Sequence, residues 1–423
     1  MLKKLYIHNF KSFWNSSFEF GKLNCLIAPN NTGKSNLIEA LEFCDKLLFP
    51  REDEQKNFDL KEYKNFRHKE EDEKNIRFSL EFELENRVSV YSDLFDFKYI
   101  VKFNIIIGEI NNIDVEVDGY MKNISFTSKS HNNLLTLAFG LRVYNDFLPE
   151  YISDYEKYDE ELNSKKYSKF NFKYSQNTLN YELNCPSTIK QAIFNLFGMK
   201  LNSKNELQEP IKLKNIFSKR VFASYDFQPY LIKKESFNNS KLNKNGTTLV
   251  EFIAEQVDET IEDISTSLIG EVEQVTGIEI NRETAFKTLS FIENNLHKVP
   301  LSKTSDGTVH FLAIMSALIA NGREIETIVI EEPERHLHMK VLSYILNSMR
   351  DCEAQIFFTT HSTEMLSELN LDEIIFMFRD FDGDTKGIRA KDIKNIKKIM
   401  RIYKNDLVEM IRIGILDGLE DEL

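Results

Sequence analysis

The sequence predicts an α/β protein with a mixed sheet, an antiparallel β-subdomain and a helical insertion, and three observations carry that expectation. Near the N-terminus the unbroken apolar run Leu23 to Ala28 reads as a strand buried on both faces, and an amphipathic helix follows it. In the last third of the chain, apolar strands and helices alternate again. Between these ends lie first period-two apolar patterns and then helical ones. One α/β domain interrupted by an insertion accounts for all three.

Leu5 and Ile7, then Phe18 and Phe20, alternate as short strands ahead of the buried run. The helix after that run carries the stripe Leu37, Ile38, Leu41, Cys44, Leu47 and Leu48 and must end before Pro50, because proline is incompatible with a helix interior. Residues 51–75 mix charges of both signs without periodicity and read as a solvated loop. Ile76, Phe78, Leu80, Phe82 and Leu84, then Tyr99 to Ile107, then Ile113, Val115 and Val117 alternate as strands of an antiparallel sheet, with a turn expected at Asp118-Gly119. From about Asn132 to Asn184 the chain reads as helical and then polar. Residues 247–275 keep the three-four spacing of one helix through Leu249, Phe252, Ile253, Val257, Ile261, Ile264, Leu268 and Val272.

The final third gives helix 308–321, strand Thr327 to Ile330, helix 338–350, strand Gln355 to Thr360, strand Glu373 to Phe378, a turn at Asp382-Gly383, and a closing helix through Ile393, Ile396, Met400, Tyr403, Leu407 and Met410. The expected organisation is a first lobe with the β-subdomain over 1–135, a mainly helical insertion over 136–299, a second lobe over 300–390 and a helical tail over 391–423.

Composition narrows the function classes. At 423 residues, 42% hydrophobic and 29% charged, the chain has the balance of an ordinary globular protein. No apolar run reaches membrane-spanning length, and MLKKLYIHNF lacks the apolar core of a secretion signal, so a cytoplasmic protein without a membrane partner is expected. Cys25, Cys44, Cys185 and Cys352 show no CxxC spacing, and neither a disulfide nor zinc is expected. With 54 Lys and Arg against 67 Asp and Glu, the net charge of −13 argues against gripping nucleic acid over the whole surface. The lysines of 212–244 and of 391–401 leave local DNA contacts open, although a solvated face accounts for them more simply. His336 and His338 lack a convincing third ligand for a metal.

Three motifs carry chemistry. Ala28-Pro29-Asn30-Asn31-Thr32-Gly33-Lys34-Ser35 falls between the buried strand and the helix, where a phosphate loop wraps its ligand in backbone N–H groups. Asn30, Asn31, Thr32, Gly33, Lys34, Ser35 and Asn36 are the candidate nucleotide contacts, with Lys34 reaching the β and γ phosphates and Ser35 holding Mg²⁺. Ala28 stands where the motif has its first glycine, so that position must not need a positive φ. Glu331 and Glu332 close a second apolar strand; Glu331 suits the Mg²⁺ shell, and Glu332 suits orienting or deprotonating the attacking water. His361 ends a third apolar strand and could sense the γ phosphate.

With LYIHNFKSF, APNNTGKSNLIEAL, TSDGTVHFLAI, IVIEEPERHLH and FFTTHS in this order, the chain resembles the ABC-type ATPases of the SMC, RecF and OLD group. That resemblance implies an ABC-type P-loop head that binds ATP and Mg²⁺ and pairs head to tail, as a homodimer or a higher homo-oligomer. It further implies that Ser305 and Gly307, in a signature-like segment, complete the partner's site, that residues 334–338 form a loop at the seam, and that His361 is the switch histidine. No Q-loop glutamine is assigned: Gln228 lies in a segment that reads as structural, and Gln191 in one that reads as a helix. Stand-alone ATPases of this kind often serve in antiviral defence, and the short segment after the core implies that a nuclease or toxin effector is a separate protein. The other readings are a DNA-repair ATPase of the RecF or SMC kind and a slow ATP-bound scaffold that sequesters an effector.

Overall fold

The computed structural model describes residues 1–29, 31–48, 75–90, 93–107, 113–127, 169–175, 178–183, 220–234, 240–282, 287–394 and 396. The strands, in chain order, are β1 (Leu2–His8), β2 (Ser16–Glu19), β3 (Leu23–Ile27), β4 (Ile76–Val90), β5 (Asp93–Ile107), β6 (Ile113–Thr127), β7 (Lys169–Ser175), β8 (Thr178–Leu183), β9 (Arg220–Tyr225), β10 (Val275–Asn281), β11 (Thr288–Glu293), β12 (His297–Pro300), β13 (Ile325–Glu331), β14 (Gln355–Thr359), β15 (Ile374–Arg379) and β16 (Thr385–Arg389). The helices are α1 (Lys34–Leu48), α2 (Pro229–Ile232), α3 (Leu249–Ala254), α4 (Asp258–Leu268), α5 (Asp306–Ile319), α6 (Met339–Asp351) and α7 (Thr363–Ser367). The chain divides into two compact units, Met1–Ser17 with Cys44–Ser218, and Phe18–Phe43 with Lys219–Leu423.

The first unit is built on a seven-stranded sheet in the order β2-β1-β4-β5-β6-β7-β8. Its period-two pattern works as expected. Ile76, Phe78, Leu80 and Phe82 of β4 are buried opposite Ile107, Ile105, Phe103 and Val101 of β5, so one face of the ladder is continuously apolar. The turn expected at Asp118-Gly119 does not form. Both residues lie inside β6, paired with Lys102 and Val101 on one side and with Asn171 and Phe170 on the other. A strand laddered on both edges outweighs the local turn preference of Asp-Gly, and β7 and β8 supply strands where helix and polar loop were expected. Residues 51–74 of the expected loop and the segment 132–168 lie outside the described residues.

The second unit holds a six-stranded sheet in the order β16-β15-β3-β14-β13-β9, parallel except for β16. β3 and β14 are buried at every residue, which explains why both read as unbroken apolar runs. On α5 every residue from Thr308 to Leu318 is buried, and its sequence is accordingly apolar all round. On α6 only the stripe Val341, Leu342, Ile345, Leu346 and Met349 is buried. These helices join Ile328, Ile330, Ile356 and Phe358 in one core with α3, α4 and the three-stranded sheet β10-β11-β12.

The single helix expected over 247–275 is two helices. Val257 breaks it, extended at φ −68 and ψ 152 and 66% exposed, and Arg282 spans the break to Asp258 Oδ1 and the Gln256 carbonyl, each at 3.2 Å. Asp258 and Glu259 then open α4, where carboxylates meet the positive end of the helix dipole. Gly270, at φ 92, turns the chain away before β10. The segment expected to be mainly helical thus contributes β9 to the central sheet and a small sheet of its own. The closing helix after Ile396 lies outside the described residues.

Candidate active site

Register brings the motifs to one edge. Leu26 of β3 pairs with Thr359 of β14, Thr359 with Glu331 of β13, and Tyr225 of β9 with Ile330. The loops that follow all four strands therefore leave the sheet at the same level, the carboxyl edge where α/β folds bind ligands.

After β3 the chain turns through Asn31 at φ 63 and Gly33 at φ 115 into α1. Ala28 is not among the residues with positive φ, so the alanine fits where the motif usually has glycine. Lys34 Nζ donates to the Ala28 carbonyl at 2.6 Å, and its ammonium lies across the loop. Burial lowers the Lys34 pKa, while the charge of Glu332 opposes that shift. Ser35 is exposed at the mouth of α1, Asn36 is half-buried and Thr32 is buried. Asn30 lies outside the described residues. Two residues the sequence reading missed tie this loop down. Arg379 donates to the Asn31 carbonyl through Nε at 3.2 Å and Nη2 at 2.7 Å, and the Thr385 hydroxyl donates to the Thr32 carbonyl. Both come from the β15–β16 hairpin, far along the chain, so no local pattern could mark them.

Glu331 ends β13, and Glu332 follows at φ 43, a left-handed conformation that costs about 1–3 kcal/mol in a non-glycine residue. Its N–H donates to the Thr359 carbonyl and hydroxyl, each at 3.1 Å, which fixes the bend. Arg335 Nε donates to Glu332 Oε2 at 2.6 Å and Nη1 to Asp226 Oδ1 at 2.7 Å. The Arg335 hydrogen bond holds the Glu332 carboxyl below the usual glutamate range, against a smaller opposing effect of burial. Glu331 moves the other way. Burial pushes its pKa up, Lys244 pulls it back, and the neighbouring carboxylates of Asp226 and Glu42 push it further. Lys244 Nζ stands 3.0 Å from Glu42 Oε1 and 3.7 Å from Glu331 Oε1.

His361 follows β14, exposed, with its N–H donating to Glu334 Oε1 at 2.8 Å and its ring close enough to act on the Glu332 carboxyl. Gln228 donates to Asp226 Oδ1 at 3.0 Å, and its backbone heads α2. Lys34, Glu331, Glu332 and His361 thus share one edge, joined by Asp226, Glu42 and Arg335, which the sequence did not single out. The only available signal for Asp226 was its place just past the apolar run Val221 to Tyr225.

Ser305 and Gly307 belong to a different local structure. The exposed Ser305 caps α5, accepting from the Thr308 N–H at 3.1 Å. Gly307 packs so closely that a Cβ there would come within 2.5 Å of the His336 carbonyl, which ties the signature-like segment to the loop after Glu332. Lys233 pairs with Asp306 at 2.5 Å. His338 caps α6 through Nδ1, and neither His336 nor His338 joins a group of three ligating side chains among the described residues. Among the described residues no helix is long and apolar enough to cross a membrane.

A curated relative from Helicobacter pylori, named an ATP/GTP phosphatase, is 26% identical over 409 residues and covers 91% of each chain. Among solved structures, the SMC head domain from Thermotoga maritima is 12% identical, covering 92% of this chain and 98% of that one at a TM-score of 0.43. The Smc head domain with an extended coiled coil bound to the C-terminal domain of ScpA, derived from Pyrococcus furiosus, is 15% identical, covering 96% and 98% at a TM-score of 0.45. Scores this low add nothing to the topology above. Residues 23–367 match the family described as "AAA domain, putative AbiEii toxin, Type IV TA system". Since that match takes in the phosphate loop, both glutamates and the strand before His361, the chain belongs to the AAA_21 family and is an ATPase.

Proposed function

We propose that the chain is a Mg²⁺-dependent ATP hydrolase acting as a nucleotide-driven dimerisation switch, whose closure controls a separate nuclease or toxin in antiviral defence. One observation carries the reading. The phosphate loop, the Glu331-Glu332 pair and His361 are locked by strand register to one sheet edge, while Ser305 caps α5 with exposed surface and has its described contacts elsewhere. A head whose signature is turned outward suits a site completed by a second copy. The family's description names a putative toxin and a type IV TA system, which supports a toxin-system setting. The DNA-repair alternative loses ground because two lysines of the basic run, Lys233 and Lys244, already pair with Asp306 and Glu42.

In this reading Lys34 draws the β and γ phosphates, giving up its bond to the Ala28 carbonyl. Backbone N–H groups of residues 31–36 cradle the phosphates at the start of α1. Ser35 and Glu331 would hold Mg²⁺, which when bound neutralises phosphate charge. The site fits a cation. Glu42 and Glu331 already meet a cation, the ammonium of Lys244. Glu332 accepts a proton from water once Arg335 lets it go, and His361 faces the γ phosphate.

The test is ATP-dependent dimerisation of Glu332→Gln, which preserves shape but cannot accept a proton. We expect dimers with ATP, about 10²–10⁴-fold slower turnover, and neither dimer nor binding when Lys34→Ala is added. A Glu332→Gln chain that binds ATP yet stays monomeric removes the switch.

A further inference from the structure

Glu334 links two of the loops that carry the site. It lies two residues past Glu332 in the loop after β13, and its carboxylate crosses to the loop after β14, where Oε1 accepts the His361 N–H at 2.8 Å. Its charge also reaches β3, since the Cys25 thiol has its pKa raised first by burial and then by Glu334. The loop that presents it is tightly turned. The Arg335 N–H donates to the Glu332 carbonyl and the Leu337 N–H to the Glu334 carbonyl, each at 3.1 Å, while Glu332 and His336 take φ 43 and 63.

The second oxygen of the carboxylate, Oε2, is buried and has no hydrogen-bond partner among the described residues. A buried carboxylate oxygen left without a partner costs free energy, so the bond made by the other oxygen has to account for the residue. A methionine of similar length would fill the same space without that cost, and stability alone therefore does not explain the glutamate.

The backbone on either side of His361 is held by its own strand and helix. Thr359 accepts the Glu332 N–H, the Ser362 N–H donates to Thr360 Oγ1 at 3.0 Å, and the Ser362 hydroxyl caps α7 by accepting the Met365 N–H at 3.3 Å. The bond that holds His361 itself is the one to Glu334. Because the His361 side chain is exposed, its place is set from the backbone.

We propose that Glu334 is a positioning residue for ATP hydrolysis. By accepting the His361 N–H it fixes the point from which the imidazole meets the γ phosphate, and it ties that point to the loop carrying Glu332. The proposal rests on His361 as the residue at the γ phosphate. In this role Glu334 works through a hydrogen bond, and neither its charge nor a contact with nucleotide is used.

The test is a double-mutant cycle on steady-state ATP hydrolysis by the full chain with Mg²⁺. Glu334→Met keeps the length of the side chain and removes the acceptor; it should lower kcat at least about tenfold and leave KM within about twofold, because the phosphate loop holds ATP through other groups. Glu334→Gln keeps an oxygen for the His361 N–H and should retain most of the parent kcat. His361→Ala should lower kcat by itself, and Glu334→Met added to it should cost nothing more, since no imidazole is left to position. Glu334→Ala gives a second variant without an acceptor should the methionine fail to fold.

A parent kcat in the folded methionine or alanine variant overturns the proposal. So does a glutamine variant as slow as the methionine one, which would assign the effect to charge. An undiminished further loss in the His361→Ala background also overturns it, and would mark a role apart from the histidine, such as contact between heads. If His361→Ala is inert, the histidine reading itself fails and the proposal falls with it. Dimers are not measured here, so each of these results is separate from failure of the dimerisation switch.

Discussion

Arg335 clasps Glu332, its Nε donating to the carboxylate at 2.6 Å, so the residue proposed above as the proton acceptor is already engaged by a guanidinium three residues on. The same arginine reaches Asp226 at 2.7 Å, so under the proposed mechanism this pair would have to open before Glu332 could act as a base.

Arg335→Ala should therefore cost stability at neutral pH, and the cost should fade in acid. Glu332 has a folded-state pKa below its ordinary value of 4.5, so the pair stabilises the fold above about 4.5 and loses that contribution as pH falls through the lower folded value. Both groups are about a third exposed, and solvent keeps the effect modest. Melting temperatures of parent and variant measured from pH 7 down to pH 3 should converge. A gap that stays constant would show that Arg335 acts through packing alone.

The phosphate loop depends on a hairpin some 350 residues away in sequence, since Arg379 and Thr385 hold the carbonyls of Asn31 and Thr32. Arg379→Ala should leave the strands intact but loosen the loop, weakening ATP binding by about tenfold, a fall in line with one charge-assisted hydrogen bond. Calorimetric titration of ATP gives the answer, and an unchanged Kd would mean that the loop is stiff without the hairpin.

These ties explain what the sequence could and could not show. The phosphate loop and the tandem glutamates each occupy one short segment at a strand end, and buried parallel strands announce themselves as apolar runs, so Lys34, Glu331 and His361 were legible. Glu42, Asp226, Lys244, Arg335 and Arg379 act across elements, and their meaning appears only when β9, β13 and β15 take their places in the sheet. The Asp118-Gly119 turn and the long helix over 247–275 failed for a related reason. Ladders on both sides of β6 and the Arg282 bridge beside Val257 overrule local preference.

His310, buried on α5, has its pKa pushed down to about 4, chiefly by burial and then by His336. Its folded pKa lies below the ordinary 6.5, so an unfolded chain takes up the proton first and stability falls as pH drops from about 6.5 toward 4. The loss should be at most about 1.4 kcal/mol per pH unit from this residue. His310→Phe should flatten the melting temperature across that window. An identical pH dependence in the variant would assign the loss to other groups.

The last prediction concerns Ser305. Its hydroxyl caps α5 by accepting the Thr308 N–H, and removing a cap of this kind costs about 1 kcal/mol. A bulky replacement would therefore mix a folding defect with a seam defect. Ser305→Asp separates them, because aspartate caps a helix as well as serine does and its charge suits the helix N-terminus. The α5 start is further pinned by the approach of Gly307 to the His336 carbonyl and by the Lys233–Asp306 pair, so the backbone has little room to move. In the Glu332→Gln background, the aspartate variant should melt at the parent temperature and bind ATP with the parent affinity. If Ser305 meets the triphosphate held by the other head, the new carboxylate faces that anion at short range and ATP-dependent dimerisation should fall by at least about tenfold. Sedimentation of the two proteins with ATP gives the comparison directly. Dimers as tight as those of the Glu332→Gln parent would place this segment away from the seam, and the head would then have to pair through another surface.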